Sequence, residues 1–483
     1  MQNEAGKILL MKSCFLYCSL LCALVLQSCY DEERFTNSSD AVLSFSADTL
    51  KFDTVFTSIG SATRHFMVYN NNKDAVRTSV SVPNRHFRLN IDGVATNSYN
   101  NLEIRGKDSA YIFIEVTVDP QSNNAPVLIL DSVSFTTNGN KQNVKLEAFG
   151  QDMVFYNDSI IGNEHWTADK PYLIYNSILV DSLCTLNIDA GARIYFHSNS
   201  SLLVKGQLHV NGTAEAPVVF QGDRLEEYYA KRPGQWGASY YVGDLMYYFG
   251  NVHILTGSSG NTIDYAIIRN GTKGVQIDNH NEGEVSLKIS NTIIENMAIS
   301  GIYAQNANLQ VYNTVVSNCG YYLAALLIGG NYEFVHTTLA NYGSHTSQSL
   351  VFNNYYVSKD TTNVYDFNAL FANSIIYGSL ADEFDVNLLK DKDISFKYKF
   401  DNCMLKVGGR FNVGDTSVYR NVITDPTALP RFVNAAEGDY RLDTLSAAKD
   451  CGNPAYLIDF PIDLDGNERD SLPDLGAYER IEQ

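Results

Sequence analysis

The sequence predicts an all-β chain, a β-sandwich followed by a long parallel β-solenoid. Three observations point there. A short apolar motif recurs six times between residues 265 and 405. About seven alternating segments bounded by Gly, Asn and Pro fill residues 36–152. Only 18% of the residues are charged, while 31 Tyr and 24 Phe supply side chains that favour sheet over helix.

Residues 1–28 read as a targeting segment rather than as part of the fold. Lys7 and Lys12 precede an apolar run over residues 15–26, too short for a membrane-spanning helix. The string Leu26-Gln27-Ser28-Cys29 that follows resembles a bacterial lipobox. That resemblance implies cleavage before Cys29 and acylation of its thiol, with several acyl chains holding the protein at a membrane. Asp31-Glu32-Glu33 resembles the acidic tag that sends lipoproteins of the Bacteroides group to the outer face of the outer membrane. Residues 29–40 are then an acidic tether, and the expected location is the outer membrane, facing the cell exterior. The formal charge of −19 repels polyanions, so nucleic acid is not an expected partner.

Residues 41–152 carry the sandwich. Strand character is clear in His65-Phe66-Met67-Val68-Tyr69, in Tyr111-Ile112-Phe113-Ile114-Glu115-Val116 and in Val144-Lys145-Leu146-Glu147-Ala148. Runs of this number and length suggest an immunoglobulin-like β-sandwich. Phe52-Asp53-Thr54-Val55-Phe56, Phe135-Thr136-Thr137-Asn138-Gly139 and Leu146-Glu147-Ala148-Phe149-Gly150 also resemble the modules named after abnormal-spindle and hydin proteins. In a lipoprotein such a module is a spacer.

Residues 165–440 carry the solenoid. The motif reads Tyr265-Ala266-Ile267-Ile268, then Asn291-Thr292-Ile293-Ile294, Asn313-Thr314-Val315-Val316, His336-Thr337-Thr338-Leu339, Asn373-Ser374-Ile375-Ile376 and Asn402-Cys403-Met404-Leu405. Units of this length cannot bury their own apolar face, so neighbours must stack. Ile267, Ile293, Val315 and Ile375 form one predicted column, and Ile268, Ile294, Val316, Leu339, Ile376 and Leu405 another. Successive side chains alternate on a strand, so a bend or strand end is expected between the two columns. Asn270, Asn296, Asn318 and Asn341 mark a turn column whose amides could bond along the axis. Arg269 and Glu295 stand as neighbours, an expected surface ion pair. Cys403 replaces Thr or Ser in its column and reads as a small core filler. Once Cys14, Cys18 and Cys22 leave with the signal, Cys184, Cys319, Cys403 and Cys451 remain beyond Cys29, with no C-x-x-C pair and no zinc set.

Leu186-Asn187-Ile188-Asp189-Ala190-Gly191-Ala192-Arg193-Ile194 and the coil after it resemble the first coils of right-handed β-helix proteins of the pectate-lyase-like superfold. The resemblance implies a right-handed, single-stranded parallel β-helix. Residues 441–483 form a C-terminal cap segment. Its strings Asp463-Leu464-Asp465-Gly466-Asn467 and Asp474-Leu475-Gly476-Ala477-Tyr478-Glu479 resemble the choice-of-anchor type ending of secreted bacterial β-helix proteins. Covering the exposed last coil is its expected role.

Candidate sites are few. Tyr228, Tyr229, Trp236, Tyr240 and Tyr241, interleaved with Arg224, Lys231 and Arg232, could stack on sugar rings and reach their hydroxyls. Asp463, Asp465 and Asn467 offer oxygen ligands spaced by two, a candidate calcium set and the sole cofactor suggested. His280 lies among acidic neighbours as a candidate base. No Asp-Asp pair, Gly-His-Gly or Arg-x-Pro-x-x-Arg is present, so no catalytic residues are assigned. The leading expectation is a non-catalytic, glycan-binding surface lipoprotein. The alternatives are a polysaccharide lyase or glycoside hydrolase of the same superfold, and an adhesin or structural surface protein.

Overall fold

The computed structural model describes residues 34–120, 122–242, 245–278, 283–359 and 361–481; Cys29 and His280 lie outside the described residues. The chain is all-β and divides into two units, residues 1–120 with 127–150, and residues 121–126 with 151–483.

The first unit consists of two five-stranded sheets. One has the order Ser44–Phe45, Arg64–Tyr69, Ser109–Val116, Phe87–Ile91, Val94–Thr96. The other runs Thr49–Phe56, Asn140–Gln151, Val127–Thr137, Val76–Ser81, Ser98–Ile104. Alternation sets the core: Ile112, Ile114 and Val116 are buried against Val133, Phe135, Val144 and Leu146, while Tyr111 and Phe113 stay exposed. Three of these strands lie close together within residues 87–104. Asp92-Gly93, at φ of 52° and 80°, makes the two-residue turn between the first two. Positive φ at both central positions matches the twist of the flanking strands.

In the second unit a 25-stranded sheet winds as β-helix-like coils. Thr185–Asp189, Arg193–Phe196 and Leu202–Val204 each pair in parallel with their counterparts one coil later, Gln207–Asn211, Val218–Gly222 and Val252–Ile254. Each coil thus gives one strand to each of three faces. The stack begins with Val154–Ile161 and ends at Tyr419–Arg420, against the expected 165–440. The two apolar columns are in register as read: Ile267 pairs with Ile293, Ile293 with Val315, and Ile268 with Ile294 and then Val316. The columns continue through Thr338 to Ile375 and through Leu339 to Ile376 and Leu405.

The expected bend between the columns is absent. Strand Ala266–Arg269 runs through both residues, with Ile268 fully buried in the coil interior and Ile267 half-buried on the other side. The outer column is apolar because the C-terminal segment covers it. Val315 packs with Tyr440, Leu464, Ala477 and Tyr478, and Ile375 and Met404 with Leu442, Ala448 and Leu475. The segment therefore lies along the solenoid flank rather than over its end. Hydrogen bonds fix it there, from Ala477 N to Thr338 Oγ1 at 3.0 Å and from Asn453 N to Asn373 Oδ1 at 2.7 Å. The end of the core is met instead by Val407, Phe411, Val413 and Val418, with Phe411 stacked 5.0 Å from Phe384.

Two asparagine columns shape the corners. Asn270, Asn296 and Asn318 are left-handed, at φ of 66°, 59° and 52°. Asn296 Nδ2 donates to Asn270 Oδ1 at 2.5 Å, whereas Asn341 is not left-handed and donates to Cys319 O. A second left-handed column opens each repeat at Tyr265, Asn291, Asn313, His336, Asn373 and Asn402. There Asn313 Nδ2 donates to Asn291 Oδ1 at 3.2 Å. Cys403 is fully buried, with Sγ near the Asp401 and Phe371 carbonyls, as a small filler should be.

Candidate functional site

The chain leaves the solenoid after Val218–Gly222 and returns at Val252–Ile254, and this insertion carries the aromatic residues singled out in the sequence. Trp236 is not a surface platform. Its ring is fully buried, stacked 4.2 Å from Phe196, and its Nε1 donates to Arg269 O at 3.0 Å. Gly271 makes room for it, since a Cβ there would stand 2.7 Å from the indole. The residue expected to touch ligand therefore seals the coil wall. Tyr228 is 65% exposed, with the Arg232 guanidinium 3.8 Å from its ring centroid. Arg224 lies 4.1 Å from the Tyr229 ring and pairs with Glu226 at 2.9 Å. Tyr240 and Tyr241 lie in strand Ala238–Val242, which pairs with Leu245–Phe249; their side chains are outside the described residues.

Beside this insertion runs a groove of about 480 Å³. Three successive coil corners line it, contributing Asn296, Asn318 and the Tyr342-Gly343-Ser344 turn. Pro233 from the insertion and Ala435 and Ala436 from the C-terminal segment complete it. With coils about 4.8 Å apart, three corners span about 10 Å. The insertion is fastened over the upper corner by Asn270 Nδ2 to Ala230 O at 3.0 Å and by the Lys231–Glu437 ion pair. Arg269 and Glu295 pair at 4.0 Å on the same face, as expected. Burial pushes the Glu295 carboxyl up, with Arg269 and Lys231 opposing. Burial also raises the Tyr342 phenol, so it remains an O–H donor at neutral pH.

Around the Asn270 corner, on the next face, a second cluster gathers that no sequence motif announced. Lys273 is 5% exposed; its Nζ lies 3.8 Å from the Tyr303 ring centroid and 5.2 Å from that of Tyr248, and donates to Gln276 Oε1 at 2.8 Å. Burial pushes this amine down to about 8, against the pull of Asp278. Asp278, which burial alone would raise, is held low by His253, whose Nε2 is 2.6 Å away, and by Gln276. Register explains the assembly, because His253, Gln276 and Tyr303 occupy one outward row on three adjacent coils.

The candidate calcium loop is a hydrogen-bonded corner. Asp463 Oδ1 accepts from Asn467 N at 2.7 Å, and Oδ2 accepts from Asn467 Nδ2 at 3.2 Å and Glu479 N at 2.8 Å. Burial and the neighbouring Asp463 raise the Asp465 carboxyl. Both Asp463 oxygens are committed to N–H donors and Asn467 turns its amide nitrogen inward, so these residues do not present an oxygen cage. Among the described residues no group of three or more His, Cys, Asp or Glu is placed to hold a metal.

No family model and no curated protein matches the chain. Among solved structures, a protein of unknown function from Porphyromonas gingivalis W83 is 16% identical over 24% of this chain, at a TM-score of 0.18. This chain spans about half of that structure, 48% of its length. A family 123 glycoside hydrolase from Clostridium perfringens, described for glycolipid glycan hydrolysis, is 10% identical over 25% of this chain and 26% of its own, at 0.18. The ASH/PapD-like domain of human CEP192 is 8% identical over 26% of this chain and 94% of its own, at 0.17. Scores this low carry no argument about fold or activity.

Proposed function

We propose that the chain is a cell-surface lipoprotein, anchored at the outer membrane through Cys29, whose solenoid binds glycan without cleaving it. The anchor rests on Leu26-Gln27-Ser28-Cys29, and the outward orientation on Asp31-Glu32-Glu33. In this reading the first unit is an immunoglobulin-like spacer. The coils are a right-handed β-helix of the pectate-lyase-like superfold, and the flank-covering tail is of choice-of-anchor type.

The corner groove carries the glycan reading. Amides at Asn296 and Asn318 recur at the coil spacing of about 4.8 Å, close to the length of one sugar residue. They can donate to and accept from hydroxyls. Tyr342, 37% exposed, ends the row with a ring on which an apolar sugar face can stack. Affinity electrophoresis through gels loaded with single polysaccharides tests this. The wild type should be retarded in at least one gel, and Tyr342→Ala should migrate freely there; free migration in every gel would sink the reading. Cys29→Ala should release the protein into the soluble fraction, and retention in the membrane would remove the anchor.

One observation favours a second reading, a polysaccharide lyase. An amine pushed to about 8 lies in the range where general bases work, and Tyr303 supplies a phenol beside it. Unsaturated ends released by the wild type and lost in Lys273→Met would establish that reading over simple binding.

A further inference from the structure

Below the glycan groove, and sharing Tyr342 and Ala435 with it, an adjoining cavity of about 930 Å³ opens where the last coil meets the returning chain. Its size falls at the upper end of small-molecule sites. Its lining is mainly apolar, with Leu405, Val407, Phe411, Ile423, Leu429 and Phe432 all turned to it. Leu405 ends the interior column, so the cavity continues the hydrophobic core outward.

Two cations break this lining. Lys406 Nζ donates to Gly378 O and lies 5.0 Å from the Tyr377 ring centroid. Arg431 is exposed, and its guanidinium has no ion-pair or hydrogen-bond partner among the described residues. Its backbone is left-handed at φ of 39°, uncommon for a residue other than glycine. Asp425 is the acidic group of the lining, and its carboxylate is held low by Thr427, whose N and Oγ1 donate to it at 2.8 and 2.7 Å. Nearby Asp382 accepts from Gly408 N and pairs with Arg410 at 3.5 Å. Asp425 stays ionised, so the lining sets the two cations Lys406 and Arg431 against one carboxylate and is net positive, in a chain of net charge −19.

We propose that this cavity binds an anionic amphiphile, an apolar chain with a carboxylate head. The chain lies against Leu405, Phe411 and Leu429, and the head accepts hydrogen bonds from Arg431 and Lys406. A sugar, with hydroxyls on most carbons, would leave those groups unpaired against Val407, Ile423 and Phe432. The charged head distinguishes this ligand from a neutral lipid, because a guanidinium–carboxylate contact is a charge-assisted bond.

Titration calorimetry with decanoate and with decanol tests the assignment. Decanoate should bind about tenfold or more tightly than decanol, the size expected of one charge-assisted hydrogen bond. Arg431→Gln, which leaves Lys406 in place, should weaken decanoate binding severalfold while leaving decanol binding unchanged. Ala428→Trp, which fills the cavity, should remove both, with circular dichroism confirming that each variant is folded. Asn318→Leu in the glycan groove should leave decanoate binding unchanged, so this inference can fail while the glycan reading stands, and the reverse. Equal binding of the two probes, binding of neither, or decanoate binding indifferent to Arg431→Gln would overturn it.

Discussion

Replacing Arg469 by alanine removes the guanidinium that fastens the C-terminal segment to the solenoid flank. The side chain is fully buried, with Nη1 3.3 Å from Glu479 Oε2 and Nη2 donating to Asn313 Oδ1 at 3.0 Å and to the Gly476 and Ala477 carbonyls at 3.2 Å. Removing one partner of a buried pair costs about 3–5 kcal/mol, because the other charge is left uncompensated. If the segment opens locally, that loss raises its open population roughly 10²- to 5 × 10³-fold. Burial pushes Glu479 up to about 7 from 4.5. A carboxyl raised on folding contributes its full stability below about pH 4.5, and that stability falls as pH rises to about 7. At 1.36 kcal/mol per unit the change is roughly 3 kcal/mol. Without Arg469 the Glu479 carboxylate keeps only the N–H bonds from Asp474 and Asp470 and no charge partner, so the variant's defect should be larger at about pH 8 than at about pH 5, where it can protonate. The assay is limited proteolysis, following cleavage within residues 441–479 at both pH values. Cleavage of Arg469→Ala at the wild-type rate at about pH 8 would show that the guanidinium does not hold the segment down.

Trp236→Ala should destabilise the solenoid by about 3–5 kcal/mol, read as a fall in thermal midpoint; a midpoint matching the wild type would return the residue to the surface. Burial raises the Cys319 and Cys403 thiols to about 12 and also raises the half-buried Cys451 thiol, so a thiol reagent should modify Cys184 first and Cys451 more slowly in the native mature protein, and spare Cys319 and Cys403 until denaturant is added. Calcium should leave the thermal midpoint where it is, since both Asp463 oxygens already accept N–H bonds; a rise that Asp463→Asn abolishes would restore the metal site.

The columns were legible because parallel, in-register coils place corresponding residues one above another, so the sequence period is also the contact map. Ile268, Ile294, Val316, Leu339, Ile376 and Leu405 stack as read. The direction of the partner column was not legible. What makes Val315 and Ile375 apolar is Leu464, Leu475 and Ala477, more than a hundred residues along for Val315 and about a hundred for Ile375. Trp236 misled because aromatic content reports stacking surface and not burial. The small residues near it, Gly234, Gly237, Gly250 and Gly271, were the available sign of a ring packed against backbone. Asp92-Gly93 is a hairpin signal present in the sequence itself. The Lys273 cluster left no motif, because its members come from strands on three coils and only the register unites them.

The most direct test of the central claim is a polysaccharide array on the mature chain, reading both retained protein and released ends, with Asn318→Leu as the groove control. Retention on at least one glycan, lost in the variant, is the expected result, with no reducing or unsaturated ends released. Product formation would contradict the binding role and move attention to Lys273, and absence of retention on every glycan would contradict the groove itself.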